Sequence, residues 1–325
     1  MTLSYECIEL IRTLGIPTII DGISNNRSNY YNNMYNLARR NKVHLLYLNN
    51  NSMDNNLKED YADVMYVLAD ITNILNENNI DYTVFKTLRP YPYLPSDIDI
   101  LIDPSDIDRI ERVLLKHGYS MFIKDLLCIT FKKNDINVDL YFDPSVSDIP
   151  YLSRKSLVRH KDTIKINNTS VYRLADHAEF VAVMCHSFYK EQMFTINDYY
   201  TLTILAENSD INDIIALSKE NNCLDILHLF SNICKDITLE VFDKTDLNIC
   251  KIAYKLNDNV NDFNNIKAIN IITLPYKFPI RYVIISLFKK VAEEQGKINA
   301  LKYFTKSISF KQIKKLVAHV KRETY

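Results

Sequence analysis

At 325 residues, 47% of them apolar, the chain has material for two domains or for one domain with large additions. Its formal charge of −1 gives no whole-molecule field that would gather nucleic acid, so any such contact must come from a local patch. Only four glycines are present, Gly15, Gly22, Gly118 and Gly296, and their separation excludes both the P-loop and the G-x-G-x-x-G fingerprint, so phosphate chemistry here must rely on side chains and metal.

The six cysteines, Cys7, Cys128, Cys185, Cys223, Cys234 and Cys250, form no C-x-x-C pair. Together with an N-terminus that lacks the basic start of a signal peptide, they read as reduced thiols of a cytoplasmic protein. No apolar run reaches the ~18 residues of a membrane span, and no membrane contact is expected.

Residues 1–58 read as an N-terminal helical extension with Asn-rich loops. Within it, NYYNNMYNLARRNKVHLLYL is a helix running into a short apolar segment. From Glu59 to Asn79, the residues Tyr61, Val64, Met65, Leu68, Ile71 and Leu75 follow helical spacing. DYTVFKTL then reads as a strand, and the Pro-rich RPYPYLP delivers the chain to SDIDILID. Successive strand residues point to opposite faces, so Asp97 and Asp99 share one face and Ile98, Ile100 and Ile102 the other. The next helix carries Ile107, Ile110, Val113 and Leu114, with Ser105 or Asp106 as its cap and Gly118 just past its end.

Two strand-like segments follow, MFIKDLLCITFKK and INVDLYF, joined by a turn at ND. In the second, Ile136, Val138, Leu140 and Phe142 form an apolar face and Asn137, Asp139 and Tyr141 a polar one. A hairpin is expected at DTIKINNTSVYRL, turning at Asn167–Asn168, and from Ala175 onward the chain reads almost wholly helical. Strand-rich then helix-rich sequence predicts an α/β (α+β) core with a short mixed sheet over 59–175 and an all-helical C-terminal domain over 176–325. In the tail, SFKQIKKLVAHVKRETY is an amphipathic helix whose outer face carries Lys311, Lys314, Lys315, Lys321 and Arg322. That face is either solvated or contacts the phosphates of an RNA.

If the two acid-bearing strands pair, Asp139 stands beside Asp97 and Asp99. Hard oxygen ligands of this kind suit Mg²⁺, and two ions sharing carboxylates can activate an attacking oxygen and stabilise a leaving one. A D-x-D pair alone is more often a solvated strand face. The third acid, on a strand with its own clean alternation, brings a metal site level with that reading, and the residues before the pair move the balance further.

The order helix, strand, Lys-Thr, acid pair, helix, strand, third acid resembles the nucleotidyltransferase fold of the DNA polymerase β superfamily, and within it the group labelled uncharacterised nucleotidyltransferases. That group reads "lKG", a Pro- and Tyr-containing stretch, then "DiDlLv", and FKTLRPYPYLPSDIDILID is the corresponding text. The resemblance implies that Asp97, Asp99 and Asp139 hold the metals and an NTP such as ATP, and that a nucleoside monophosphate moves to a hydroxyl acceptor with release of pyrophosphate. The acceptor stays open between RNA or tRNA, protein and small molecule. Lys86, Thr87 and Arg89 would contact phosphate, the two cations being otherwise solvated charges at a strand end. His186 and Asp198 align with a His and an Asp of relatives and hold substrate, or else form a satisfied polar pair between helices. Tyr91 and Tyr93 stack on a base or pack the Pro-rich loop.

Two departures stand out. Thr87 replaces the group's Gly, and Leu94, Pro95 and Ser96 stand where many relatives carry an Arg. They keep alive a catalytically weak or inactive nucleotide-binding protein of the same fold. A D-x-D glycosyltransferase fits less well, because that motif follows a longer Rossmann-like half and does not require the Asp139 strand.

Overall fold

The computed structural model describes residues 3–18, 31–48, 55–146, 149–257 and 273–295, so the basic C-terminal helix lies outside the described residues. Helices α1 (Tyr5–Leu14), α2 (Tyr31–Arg40) and the short α3 (His44–Tyr47) precede the long α4 (Asn55–Glu77). The sheet region follows with β1 (Tyr82–Val84), β2 (Asp97–Ile102), α5 (Ile107–Lys116), β3 (Ser120–Lys124), β4 (Cys128–Lys133) and β5 (Ile136–Tyr141). A small ribbon of β6 (Ser145–Val146) and β7 (Ile149–Pro150), then α6 (Arg154–Leu157), leads to the hairpin β8 (Lys161–Ile166) and β9 (Thr169–Leu174). The remainder is α7 (Asp176–Cys185), a π-helical turn (His186–Glu191), β10 (Met193–Phe194), α8 (Ile196–Glu207), α9 (Ile211–Glu220), α10 (Leu224–Phe242), α11 (Asn248–Asn257), β11 (Tyr276–Lys277) and α12 (Ile280–Gln295). No helix among the described residues is long and apolar enough to cross a membrane.

Seven strands form one mixed sheet in the order β3-β4-β5-β2-β1-β9-β8, with β2 parallel to β5 and antiparallel to β1. The expected α/β core with a mixed sheet, followed by helices, is therefore what the chain adopts. Both faces of the sheet are covered. Ile98, Ile100, Ile102, Val138 and Leu140 pack against the α4 stripe of Val64, Val67, Leu68, Ile71 and Leu75 and against Ile110 and Leu114 of α5. The opposite face offers Leu101 and Tyr141, which join Phe85, Tyr91 and Tyr93 in a cluster with α1, α2 and the helices from α7 onward. On this face Tyr141 is buried and Asp99 is only 5% exposed, while Asp97, Asn137 and Asp139 are half-buried.

Local structure follows the chemistry of the turns, with two corrections. The Asn167–Asn168 hairpin turn has both residues at positive φ, 45° and 66°, as a two-residue turn matched to strand twist requires. The stretch 121–133 is two antiparallel strands rather than one, because the chain reverses at residues 125–127, where Asp125 N donates to Cys128 O at 2.9 Å. Asp106 takes the N-cap position of α5 without a side-chain bond, and the bonded cap lies one turn earlier at Asp103, whose carboxylate accepts from Ser105 N at 3.0 Å and Ser105 Oγ at 2.6 Å. Pro104 opens a short 3₁₀ turn there and moves the start upstream.

Four helices end in the same motif, in which the third residue past the helix bonds back to the third-last helical residue and the residue before it turns left-handed. At α4 the pairs are Ile80 N to Leu75 O and Asn79 N to Asn76 O, with Asn79 at φ 50°. At α5 they are Tyr119 N to Leu114 O and Gly118 N to Leu115 O, with Gly118 at φ 82°. At α9 they are Cys223 N to Ser218 O and Asn222 N to Lys219 O, with Asn222 at φ 48°. At α2 they are Val43 N to Ala38 O and Lys42 N to Arg39 O, and here the left-handed residue is Lys42, at φ 60°. Because a left-handed L-residue with a branched Cβ is disfavoured, Asn79→Val and Asn222→Val should each cost about 1–2 kcal/mol in urea unfolding, while the Gly variants stay near neutral.

Candidate active site

The register of β2 on β5 sets Asp97 opposite Asn137 and Asp99 opposite Asp139. One carboxylate oxygen from each of Asp97, Asp99 and Asp139 lies within 4.8 Å of the others. Ser96 Oγ donates to Asp97 Oδ1 at 3.2 Å. Asp139 is held at both oxygens, by Thr130 Oγ1 at 2.6 Å and by the Tyr141 hydroxyl at 3.3 Å. Asp99 keeps one oxygen on Lys86 Nζ at 3.1 Å, while its Oδ1 is buried without a hydrogen-bond partner. A buried carboxylate oxygen with unfilled lone pairs, flanked by two more acids, is a donor set that suits a hard divalent cation.

The strand β1 ends in a tight turn centred on Lys86. Thr87 N donates back to Phe85 O at 2.7 Å, and Lys86 sits at φ 59°. This is the rarer, strained form of a three-residue turn. The left-handed residue is therefore Lys86 itself, and Thr87 replaces the group's Gly without needing its freedom. Thr87 Oγ1 accepts from Asp99 N at 2.8 Å and donates to Phe85 O at 3.3 Å, so the hydroxyl clamps β1 to β2 instead of facing a phosphate. Lys86 is 4% exposed and is not a solvated cation.

Arg89 is not solvated either. Its Nη1 lies 3.2 Å from Glu179 Oε1, which also accepts from Lys86 N at 2.7 Å, and its guanidinium stacks over Tyr93 at 5.2 Å. Burial pushes the Glu179 carboxyl up to about 7, with Arg89 opposing it. Arg89 is thus a framework cation of this turn. Tyr91 and Tyr93 are buried, and the Tyr91 hydroxyl bonds Asn197 and Thr201, so both rings pack the Pro-rich loop.

His186 bonds Lys86 of the site, whereas Asp198 is engaged at the start of α8. His186 Nδ1 accepts from Lys86 Nζ at 3.1 Å and from the Tyr151 hydroxyl at 3.3 Å, which fixes the proton on Nε2, 3.1 Å from Glu191 Oε1. Burial and then the Lys86 charge push its pKa down to about 3, so the ring is neutral. Asp198 is fully buried and closes a capping box at the start of α8, accepting from Thr195 N at 2.8 Å, Thr195 Oγ1 at 2.7 Å and Ser187 Oγ at 2.6 Å. His186 thus bonds Lys86, Tyr151 and Glu191, while Asp198 bonds Ser187 and Thr195.

Three residues of the site were not singled out in the sequence: Tyr141, Lys190 and Glu191. Lys190 Nζ donates to the Tyr141 hydroxyl at 2.6 Å, which in turn donates to Asp139. Burial lowers the Lys190 pKa, but Asp99, Glu191, Asp97 and Asp139 together outweigh it and hold the amine charged. His186, Lys190 and Glu191 all come from the π-helical turn, a distortion found mostly at functional sites. The available signal was three polar side chains interrupting the apolar helix FVAVMCHSFYKE.

Burial raises the Asp99 carboxyl to about 7, with Lys86 opposing and Asp97 reinforcing the rise. A carboxyl raised in the folded state binds its proton more tightly than in the unfolded chain, so its contribution to stability is present at low pH and lost as pH climbs through about 7. The stability of Asp99→Asn relative to the parent should therefore grow by roughly 1–3 kcal/mol between pH 5.5 and 8.5 without divalent metal. Mg²⁺ should raise the parent's melting temperature at the upper pH and leave the variant unmoved; thermal scans at both pH values check this. Asp198→Ala should instead destabilise at every pH by about 1–3 kcal/mol, since it strands Ser187 and Thr195.

The model of the family described as uncharacterised nucleotidyltransferase matches residues 55–238, more than half of the chain. No curated protein matches. Among solved structures, ANT(2")-Ia in complex with adenylyl-2"-tobramycin is similar at 10% identity and a TM-score of 0.40, over 49% of this chain and 97% of that one. An antigenic nucleotidyltransferase-like protein from Paracoccidioides brasiliensis is similar at 16% identity and 0.29, over 48% and 75%. A tRNA-processing enzyme in an apo form is similar at 11% and 0.23, over 65% and 72%. At these TM-scores none of them informs the chemistry, and the family match carries the assignment: the chain belongs to the uncharacterised nucleotidyltransferase family and is a nucleotidyltransferase.

Proposed function

We propose that the protein moves a nucleoside monophosphate from an NTP to a hydroxyl acceptor and releases pyrophosphate, with divalent cations of the Mg²⁺ type held by Asp97, Asp99 and Asp139. The observation that supports this most is the register pairing of Asp99 with Asp139, which gathers three carboxylates into one 4.8 Å cluster with an unfilled oxygen on Asp99. Bound there, the metal would draw in the triphosphate, lower the pKa of the attacking hydroxyl and take up charge on the leaving oxygen.

The chain's own residues do the positioning. Lys86 and Lys190 flank the acids and supply positive charge toward phosphate oxygens. Thr130 and Tyr141 fix Asp139 so that its carboxylate can receive the acceptor proton. The acceptor oxygen forms its bond to the α-phosphorus as the bond to the β-phosphate oxygen breaks, and pyrophosphate departs. Holding both reactants in line provides much of the rate, because well-oriented partners avoid most of the entropy cost of encounter.

Incubated with each common NTP, Mg²⁺ and a cell extract, the protein should release pyrophosphate and label one fraction, whether RNA, protein or small molecule. Asp139→Asn should slow release by more than about 100-fold, the upper range for losing a group that only supports a metal ligand. Removal of divalent metal should stop it. Release that persists in the variant or without metal would take the acids out of the chemistry. NTP binding without any release would favour the non-catalytic reading.

A further inference from the structure

Two lysines approach the acids, and their amines are engaged to different degrees. The Lys86 amine is used up inside the protein. It bonds Asp99 Oδ2 and His186 Nδ1, each at 3.1 Å, lies 4.5 Å over the Phe85 ring, and belongs to a residue only 4% exposed. Lys190 is half-buried, and its amine carries three donor hydrogens. Among the described residues that amine makes one hydrogen bond, to the Tyr141 hydroxyl at 2.6 Å, and no ion pair. Of the two cations, Lys190 is therefore the one with donors left for a ligand.

The partner that holds it is unusual in what else it touches. Tyr141 stands two residues beyond Asp139 on β5 and so shares its face of the sheet. Its hydroxyl accepts from Lys190 and donates to Asp139 Oδ2 at 3.3 Å. Its ring centre lies 4.9 Å from Lys86 Nζ and 5.2 Å from Lys190 Nζ, both within reach of the attraction between a cation and an aromatic face. One side chain thus contacts both lysines and one of the three acids.

That side chain is itself fixed. Tyr141 is 2% exposed, and Phe85 meets its ring edge-on, at 5.4 Å between centres and 89° between planes. Lysine, by contrast, carries a point charge on a flexible four-carbon stem, and an amine of that kind stands at one place only if something rigid receives it. A phenylalanine at 141 would fill the same space against Phe85. The hydroxyl is what packing leaves unexplained, and both of its bonds run to the site.

We propose that Tyr141 is a positioning residue for nucleotidyl transfer: its hydroxyl aims the Lys190 amine, whose remaining donors bond an oxygen of the NTP triphosphate, at a set distance from Asp139. The inference rests on the nucleotidyl-transfer reading above. It divides the work of the two lysines. Lys86 compensates Asp99 and acts on phosphate through its charge, whereas Lys190 bonds phosphate directly.

The test compares the full-length parent with Y141F, K190Q and the double variant. Reductive methylation of the metal-free protein, read at each lysine by peptide mass spectrometry, reports how firmly each amine is held. Binding of inorganic tripolyphosphate in Mg²⁺ is measured by calorimetry, and NTP turnover by pyrophosphate release. Y141F should methylate several-fold faster at Lys190, with Lys86 unchanged. It should bind tripolyphosphate about 10-fold more weakly, the lower end for losing a hydrogen bond to a charged group, and its KM for the NTP should rise in step. K190Q should lose at least as much affinity. Because the hydroxyl acts through the amine, the double variant should stay closer to K190Q than to the product of the two separate losses. Parent-like methylation at Lys190, parent-like affinity in Y141F, or losses that multiply in the double variant would each overturn the role of Tyr141 while leaving the acid site standing. Faster methylation of Lys86 together with Lys190 would mark general loosening, make Tyr141 a packing residue and overturn it as well. A parent that binds no tripolyphosphate and turns over no NTP would overturn the acid-site reading, and this inference with it.

Discussion

Mutual repulsion of three carboxylates on a covered sheet face is the constraint around which this structure is organised. Two unit charges within 4.8 Å of each other at an effective dielectric of about 20 repel by roughly 3–4 kcal/mol or more, and three such pairs meet here when all three carboxyls are ionised. Sequestering Asp99 at 5% exposure makes the problem worse, since water no longer screens it. The surrounding design reads as an answer. Lys86 is drawn under Asp99 by a strained turn, Thr130 and Tyr141 donate to Asp139, and Lys190 is held charged by the whole group.

That answer is incomplete in a useful way. Lys86 engages one oxygen of Asp99 and leaves Oδ1 buried and unfilled. A site that satisfied every lone pair internally would gain stability and have nothing left to bind a cation. The unfilled oxygen, the left-handed Lys86 and the π-helical turn, which ends in the left-handed Gln192, fall in one neighbourhood. Apart from Lys42, the other left-handed positions among the described residues carry Asn, Asp or Gly, and the hairpin turn has the two Asn residues that such a turn favours.

Much of the core of this arrangement was legible in the sequence because it depends on period-2 alternation. Asp97, Asp99 and Asp139 could be placed on matching faces without knowing what lay above them. What alternation cannot tell is whether a polar face meets water or other protein. Lys86 and Arg89 therefore read equally as solvated charges, and Tyr141 as merely polar, until the helices are laid over the sheet. Lys190 and Glu191 were hidden for a related reason, since their approach to the acids depends on a π-helical turn that helical periodicity does not encode. Asp198 shows the opposite failure. The spacing of Thr195 and Asp198 is a capping signature, and it accounts for the two bonds from Thr195, while Ser187 of the π-helical turn donates to the other carboxylate oxygen.

The helical layer is consequently more than a lid added after the sheet. Asn41, from before the sheet, bonds the start of α8, which follows it, and the same apolar cluster takes in α1, α2, the Phe85–Tyr93 loop and the helices after α7. One face of the sheet is closed locally by α4 and α5, from adjoining sequence, and the residues that β2 and β5 bury there are apolar. The other is closed by segments distant in sequence, and it holds the acids. A face that buries only hydrocarbon can be covered by any well-packed helix. A face that buries charge needs cations at particular points, and here Lys86 and Lys190 come from segments far apart in sequence. The division between the two faces is thus a division between packing that any apolar stripe can provide and compensation that only specific side chains can provide, which is why chemistry resides on the second.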